Sequence, residues 1–117
     1  YDYLDADLKD AYAAADFVIC RAGISTISEL SVLQKPAIIV PLPRSSQEMN
    51  AQILAFTGSA VAVREEFFNP ELAVNLVRKM LWKQDELRIM KENIGRLLPA
   101  NADKKIAKIL LKIYEPR

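Results

Sequence analysis

Between Cys20 and Leu30 the chain reads CRAGISTISEL: a basic residue, a glycine, three hydroxyls and, a turn later, a carboxylate. Two chemistries fit that spacing. A glycine lets the backbone approach a ligand closely. A helix starting just after it offers free N–H groups and the positive end of its dipole to an anion. The competing chemistry is internal, because Thr26-Ile27-Ser28-Glu29 matches the capping box, in which the acid returns a hydrogen bond to the N-cap amide. These residues alone do not choose between the two.

A second stretch, PLPRSSQEMN from Pro41 to Asn50, joins two stiffening prolines to a basic residue and a polar cluster. The amides of Gln47 and Asn50 both donate and accept, which suits sugar hydroxyls. Ser45 or Ser46 would equally serve as the N-cap of a following helix. A third stretch, REEFFN from Arg64 to Asn69, carries the acid pair Glu65 and Glu66, read as a solvated loop without a nearby partner. The chain contains no histidine and one cysteine, Cys20. The commonest general base and metal ligand are therefore missing, so neither a catalytic residue nor a metal site is expected.

The elements that must position these stretches follow from apolar patterning. DFVIC (Asp16 to Cys20), AIIV (Ala37 to Val40) and AVAV (Ala60 to Val63) are nearly continuous apolar runs, as expected of strands covered on both faces. The chain opens on a loop and the helical pattern LKDAYAAA, which leads into the first strand. Further helical patterns alternate with the strands, with Gly58 placed to end the helix before the third. Strand-helix alternation implies a parallel sheet, whose ligands bind at the carboxyl ends of the strands, where all three stretches fall. From Asn69 the pattern is helical throughout: Asn69 as N-cap and Pro70 as first residue open a helix to about Lys83. Further helices are expected from about Asp85 to Leu98 and from about Ala102 to Tyr114. Trp82, Phe56, Phe67 and Phe68 are read as packing residues. The last helix is basic and amphipathic, and is expected to face the core, although such a helix can also lie on an anionic membrane.

At 117 residues the chain is one domain's worth, 51% apolar and 26% charged, an ordinary globular mixture. Its net charge of +1 gives no argument for nucleic acid. A lone cysteine and the absence of a leader-like start suit the cytoplasm. Three strands make a thin α/β domain resembling the second half of a doubly wound sheet, with an exposed apolar edge open to self-association.

The run AYAAADFVICRAGISTISELSVLQKPAIIVPLPRSSQEMNAQIL resembles the C-terminal domain of the MurG family of GT-B glycosyltransferases. These are the bacterial enzymes that complete lipid II for peptidoglycan. The likeness rests on the strand ending in RAG, then T-x-SE, P-A-I-x-V-P and Q-x-x-N-A, in that order and spacing. It implies an α/β fold, the second half of a Rossmann-like GT-B C-terminal domain, that binds UDP-N-acetylglucosamine. Carried over by position, Gly23, Ile24, Ser25 and Thr26 would contact the diphosphate, Glu29 the ribose hydroxyls and Gln47 the N-acetylglucosamine ring. Ser46 and Asn50 fall in the same site, and Arg21 matches the motif without an assigned role. Ser46 stands where many relatives carry glutamine or histidine.

The resemblance further implies an inverting hexosyltransferase acting on lipid I without cofactor or metal. The parent enzyme would sit peripherally on the inner face of the cell membrane. Residues 1–117 would then be a partial domain, lacking the glycine-rich first half and the N-terminal domain that binds lipid I and carries the base. Such a piece is expected to be inactive alone. Two alternatives stand beside this: a related GT-B transferase with a glycolipid or N-glycan precursor as acceptor, and a non-catalytic α/β dimerisation module.

Overall fold

The computed structural model of the protein describes residues 4–114; the start of the expected opening loop, residues 1–3, lies outside them. The chain begins with helix α1 (Leu8–Ala14), followed by strand β1 (Val18–Cys20), helix α2 (Ile24–Val32), strand β2 (Ala37–Ile39), helix α3 (Ser46–Phe56) and strand β3 (Ala60–Ala62). A short 3-10 turn (Glu65–Phe67) leads into α4 (Pro70–Trp82), α5 (Gln84–Gly95) and α6 (Ala102–Tyr114). The three strands pair in parallel in the order β1-β2-β3, with Ile19, Ile38 and Val61 in one row of the register. This is the expected α/β architecture, each strand a residue or two shorter than its apolar run.

Central strand β2 is wholly buried, and its side chains divide between two cores. Ala37 and Ile39 meet Ala22, Ile27, Leu30, Ala51 and Leu54 on the face covered by α2 and α3. Ile38 meets Met80 of α4 and Met90 of α5 on the other. Helix α5 serves both, since its Ile94 joins the first core. Burying such Leu and Ile side chains contributes about 1.5–3 kcal/mol each, which fixes the register of helices against sheet. The buried Ser31 ties α2 to the end of α5, donating to the Ile94 carbonyl at 2.8 Å and accepting from the Leu98 amide at 3.1 Å.

Helix ends follow local chemistry. Asn69 Oδ1 accepts from the Leu72 amide at 2.9 Å, with Pro70 at the first helical position, as expected. Gly58 has φ +64° and closes α3, its N–H bonded to the Ala55 carbonyl and that of Ser59 to Leu54, the paired bonds of a Schellman motif. Helix α2 ends the same way on Gln34, a non-glycine at φ 51°.

Three expectations are corrected. Helix α6 buries none of its residues: Ile106, Ile109, Leu110 and Ile113 are all exposed, so it does not face the core. Its amphipathic pattern states that a face favours burial, not what lies opposite. Trp82 (86% exposed) and Phe56 (94% exposed) pack against little, and Phe67 is exposed beneath the Arg64 guanidinium, 5.1 Å from its centroid. Phe68 does pack against the second core. Glu65 and Glu66 are not unpartnered, being paired with Arg21 and Arg64.

Gly58→Ala should lower the unfolding free energy by about 1–2 kcal/mol, because an L side chain is strained in the left-handed region. The added Cβ would also lie 3.0 Å from Asn93 Nδ2. A lower urea midpoint at unchanged slope is the expected result; an unshifted midpoint would refute the strain.

Candidate functional site

Three loops leave the carboxyl edge of the sheet, after β1, β2 and β3, and side chains brace them together. Gln47 Oε1 accepts from the Ala22 amide at 3.2 Å and the Leu42 amide at 3.0 Å, bridging the first loop to the second. Asn50 Nδ2 donates to the Ala22 carbonyl at 2.9 Å. Arg21 donates from Nη1 to the carbonyls of Val40 (3.2 Å) and Pro41 (3.3 Å), and from Nη2 to Glu65 in the third loop. Every loop is thus tied to another by a side chain from the expected site.

Within that frame the first loop opens α2 differently from the sequence expectation. The N-cap is Gly23, in extended conformation, and α2 already includes Thr26. The capping box therefore does not form: Ser28 Oγ donates back to the Ile24 carbonyl at 2.9 Å, and Gly23 makes no side-chain cap bond. Ile27 makes the first helical bond, to the Gly23 carbonyl. Among the described residues the N–H groups of Ile24, Ser25 and Thr26 have no partner, as the first turn of an uncapped helix requires. Helix α3, by contrast, is capped by Ser45, whose Oγ accepts from the Gln47 amide at 3.2 Å. Ser46 is its first residue, and exposed.

Glu29 lies in the second turn of α2, half-buried, one turn on from Ser25 and Thr26. Its Oε2 accepts from the Tyr12 hydroxyl at 2.9 Å. Burial, then the Glu29 hydrogen bond and charge, push the Tyr12 phenol up to about 12. Burial, then the Glu29 charge, push the neighbouring Cys20 thiol up to about 11. Both groups stay protonated near neutrality. Tyr12 was missed in the sequence because it lies 17 residues from Glu29, on a helix that read as a lead-in to β1.

The polar character of this edge is divided. Gln47 has its carbonyl occupied by two N–H donors, so its Nε2 is left to donate, not both to donate and to accept as its residue type allows. The edge therefore offers N–H donors at the start of α2 and at Gln47, and a carboxylate acceptor at Glu29. A shallow cleft of about 160 Å³, lined by Pro41, Pro43, Glu48, Arg64, Glu65 and Glu66, continues it between the second and third loops. A larger cleft of about 390 Å³ lies at the opposite edge, before β1 and β2, among Asp16, Lys35, Arg88 and Lys91; it gathers none of the site residues. Among the described residues no group of three His, Cys, Asp or Glu side chains could hold a metal ion.

Comparison with known proteins identifies the family. Residues 1–110 match the family model of the glycosyltransferase family 28 C-terminal domain. Similar curated proteins include the UDP-N-acetylglucosamine--N-acetylmuramyl-(pentapeptide) pyrophosphoryl-undecaprenol N-acetylglucosamine transferase of Anaeromyxobacter sp. (strain Fw109-5), 38% identical over 95% of this chain and 30% of that protein. The protein of the same name from Chlorobium luteolum is 38% identical over 93% of this chain and 31% of its own length. A crystal structure of Acinetobacter baumannii MurG superposes with a TM-score of 0.78 at 30% identity, covering 93% of this chain and 32% of that one. The chain spans about a third of the length of the proteins it matches.

Arg21→Met should loosen the braced edge while leaving the cores intact, because the guanidinium and its Glu65 partner are both about half exposed. Amide exchange is expected to rise in residues 41–45 and 64–68 and to stay unchanged in β2. Uniform acceleration, or none, would contradict the bracing role. For Cys20, a pKa about two units above the ordinary thiol value predicts alkylation at pH 8 about a hundredfold slower than for a free cysteine. Glu29→Gln should recover part of that deficit, since burial, the larger cause, remains.

Proposed function

The chain belongs to the glycosyltransferase family 28 C-terminal domains, and from that membership we propose that it forms the donor-binding part of a peptidoglycan N-acetylglucosaminyltransferase. The parent enzyme moves N-acetylglucosamine from UDP-N-acetylglucosamine to the muramyl 4-hydroxyl of lipid I, with inversion. The observation that carries this reading is the uncapped start of α2 beside a Glu29 released from capping duty. Free amides suit a diphosphate and a carboxylate suits a pair of ribose hydroxyls.

In this reading the amides of Ile24, Ser25 and Thr26 and the Ser25 and Thr26 hydroxyls take the diphosphate, with Gly23 allowing its close approach. Glu29 accepts from the ribose, and the Gln47 Nε2 donates to a hydroxyl of the sugar. Ser46, exposed at the start of α3, adds a hydroxyl beside Gln47. Asn50 and Arg21 hold the loops that carry these groups. As the glycosidic bond breaks, charge develops on the departing UDP, and oriented N–H dipoles there lower the barrier. The base that deprotonates the acceptor belongs to another part of the parent protein, and residues 1–117 alone are inactive. The unpaired edge of β1 is where the glycine-rich half of the domain adds its strands. The lipid-linked acceptor places the parent at the inner face of the cell membrane. Among the described residues no helix is long and apolar enough to cross one.

Calorimetric titration of the chain with UDP and UDP-N-acetylglucosamine should give saturable binding. Glu29→Ala should weaken it about tenfold, the roughly 1.4 kcal/mol of one charge-assisted hydrogen bond. A folded chain that takes up neither ligand at millimolar concentration, or a Glu29→Ala variant that binds as well as the parent, would overturn the donor-site reading.

A further inference from the structure

Glu29 has a long side chain with several rotamers, and a carboxylate that must meet two hydroxyls at once gains from being held beforehand. One of its oxygens is already held. Tyr12, half-buried and packed against the first core, donates its hydroxyl to Oε2 at 2.9 Å. Among the described residues nothing donates to Oε1. A carboxylate oxygen carries two lone pairs, so Oε2 also keeps accepting capacity once Tyr12 is bound. The phenol has no second hydrogen-bond partner among the described residues, and α1 buries no residue fully. The Tyr12 ring fills space against the core, but its hydroxyl serves Glu29.

We propose that Tyr12 is a positioning residue for the donor nucleotide, tethering one oxygen of Glu29 so that the carboxylate stands ready to accept from a vicinal diol. This rests on the donor-site reading above. Tyr12 does not touch the ligand; it acts through Glu29. Because the phenol stays protonated far above neutral pH, the tether acts as a constant donor and not as a switch.

Tyr12→Phe keeps the ring and deletes the hydroxyl alone. The test compares UDP with 2′,3′-dideoxy-UDP, which lacks the diol, by calorimetry on the 117-residue chain and this variant, both checked for cooperative unfolding. In the parent, UDP should bind at least tenfold more tightly than the dideoxy analogue. In Tyr12→Phe, UDP binding should weaken about five- to tenfold while analogue binding changes less than twofold, so that the preference for the diol collapses. A purely structural role would weaken both nucleotides together and keep the preference, which overturns the proposal, as does a variant indistinguishable from the parent. A parent that binds UDP without preferring the diol removes the role given to Glu29 and the tether with it. A parent that binds no UDP overturns the donor-site reading itself. Independently of any ligand, Glu29→Ala should bring the Tyr12 phenol titration part of the way down from about 12, since burial, the larger cause, remains; a titration that does not move shows there is no tether.

Discussion

The peptide of Ala22 is held from three sides, and the carboxyl edge of the sheet depends on it. Its N–H goes to Gln47 Oε1, its carbonyl receives Asn50 Nδ2, and its methyl is fully buried between α2 and the sheet. Each hydrogen bond contributes only about 0.5–1.5 kcal/mol net, but a buried carbonyl or amide stripped of its partner costs about 1–3 kcal/mol. The turn from β1 into α2 is therefore stiff, although it contains a glycine. Stiffness there decides where α2 begins and where its first amides stand.

That constraint also decides why no capping box forms. A capping box on Thr26 would need the helix to begin after Thr26, with Glu29 in its first turn. The pinned Ala22 starts the helix three residues earlier, with Gly23 as N-cap. Two hydrogen bonds of about 0.5–1.5 kcal/mol each, added to the burial of its methyl, outweigh about 1 kcal/mol for a cap. The by-product is a helix start with amides unspent and an acid displaced into the second turn. The acid then finds Tyr12 in place of the backbone.

Local signals made much of the fold legible. Continuous Val, Ile and Ala runs marked the strands, although only β2 is covered on both faces and β1 and β3 are partly exposed. Asn69-Pro70 marked the start of α4, and Gly58 marked the end of α3, each because the responsible interaction spans a few residues. The site was legible as a set of loops and as a family motif, but its wiring was not. The Arg21–Glu65 pair spans 44 residues and the Tyr12–Glu29 bond 17, and neither leaves a mark in spacing. The exposure of α6 was illegible for another reason. A periodic apolar face declares a preference for burial, whereas burial requires a surface opposite, and the sequence of one helix does not contain that surface.

The same wiring governs how charge is handled at the site. Arg21, the basic residue nearest the start of α2, spends its guanidinium on Glu65 and two carbonyls. An anion there meets oriented N–H groups more than a free cation. A helix N-terminus supplies about 0.3–1 kcal/mol when exposed, up to about 2 kcal/mol when partly buried, and its reach is short. No single contact of that size holds a nucleotide. Affinity must come from several small contacts made together, each at full value only if its partner is already in place when the ligand arrives. The braces of Gln47, Asn50 and Arg21 meet that requirement: they touch mainly the protein, and on the proposed reading they let weak donors and one carboxylate act as a site.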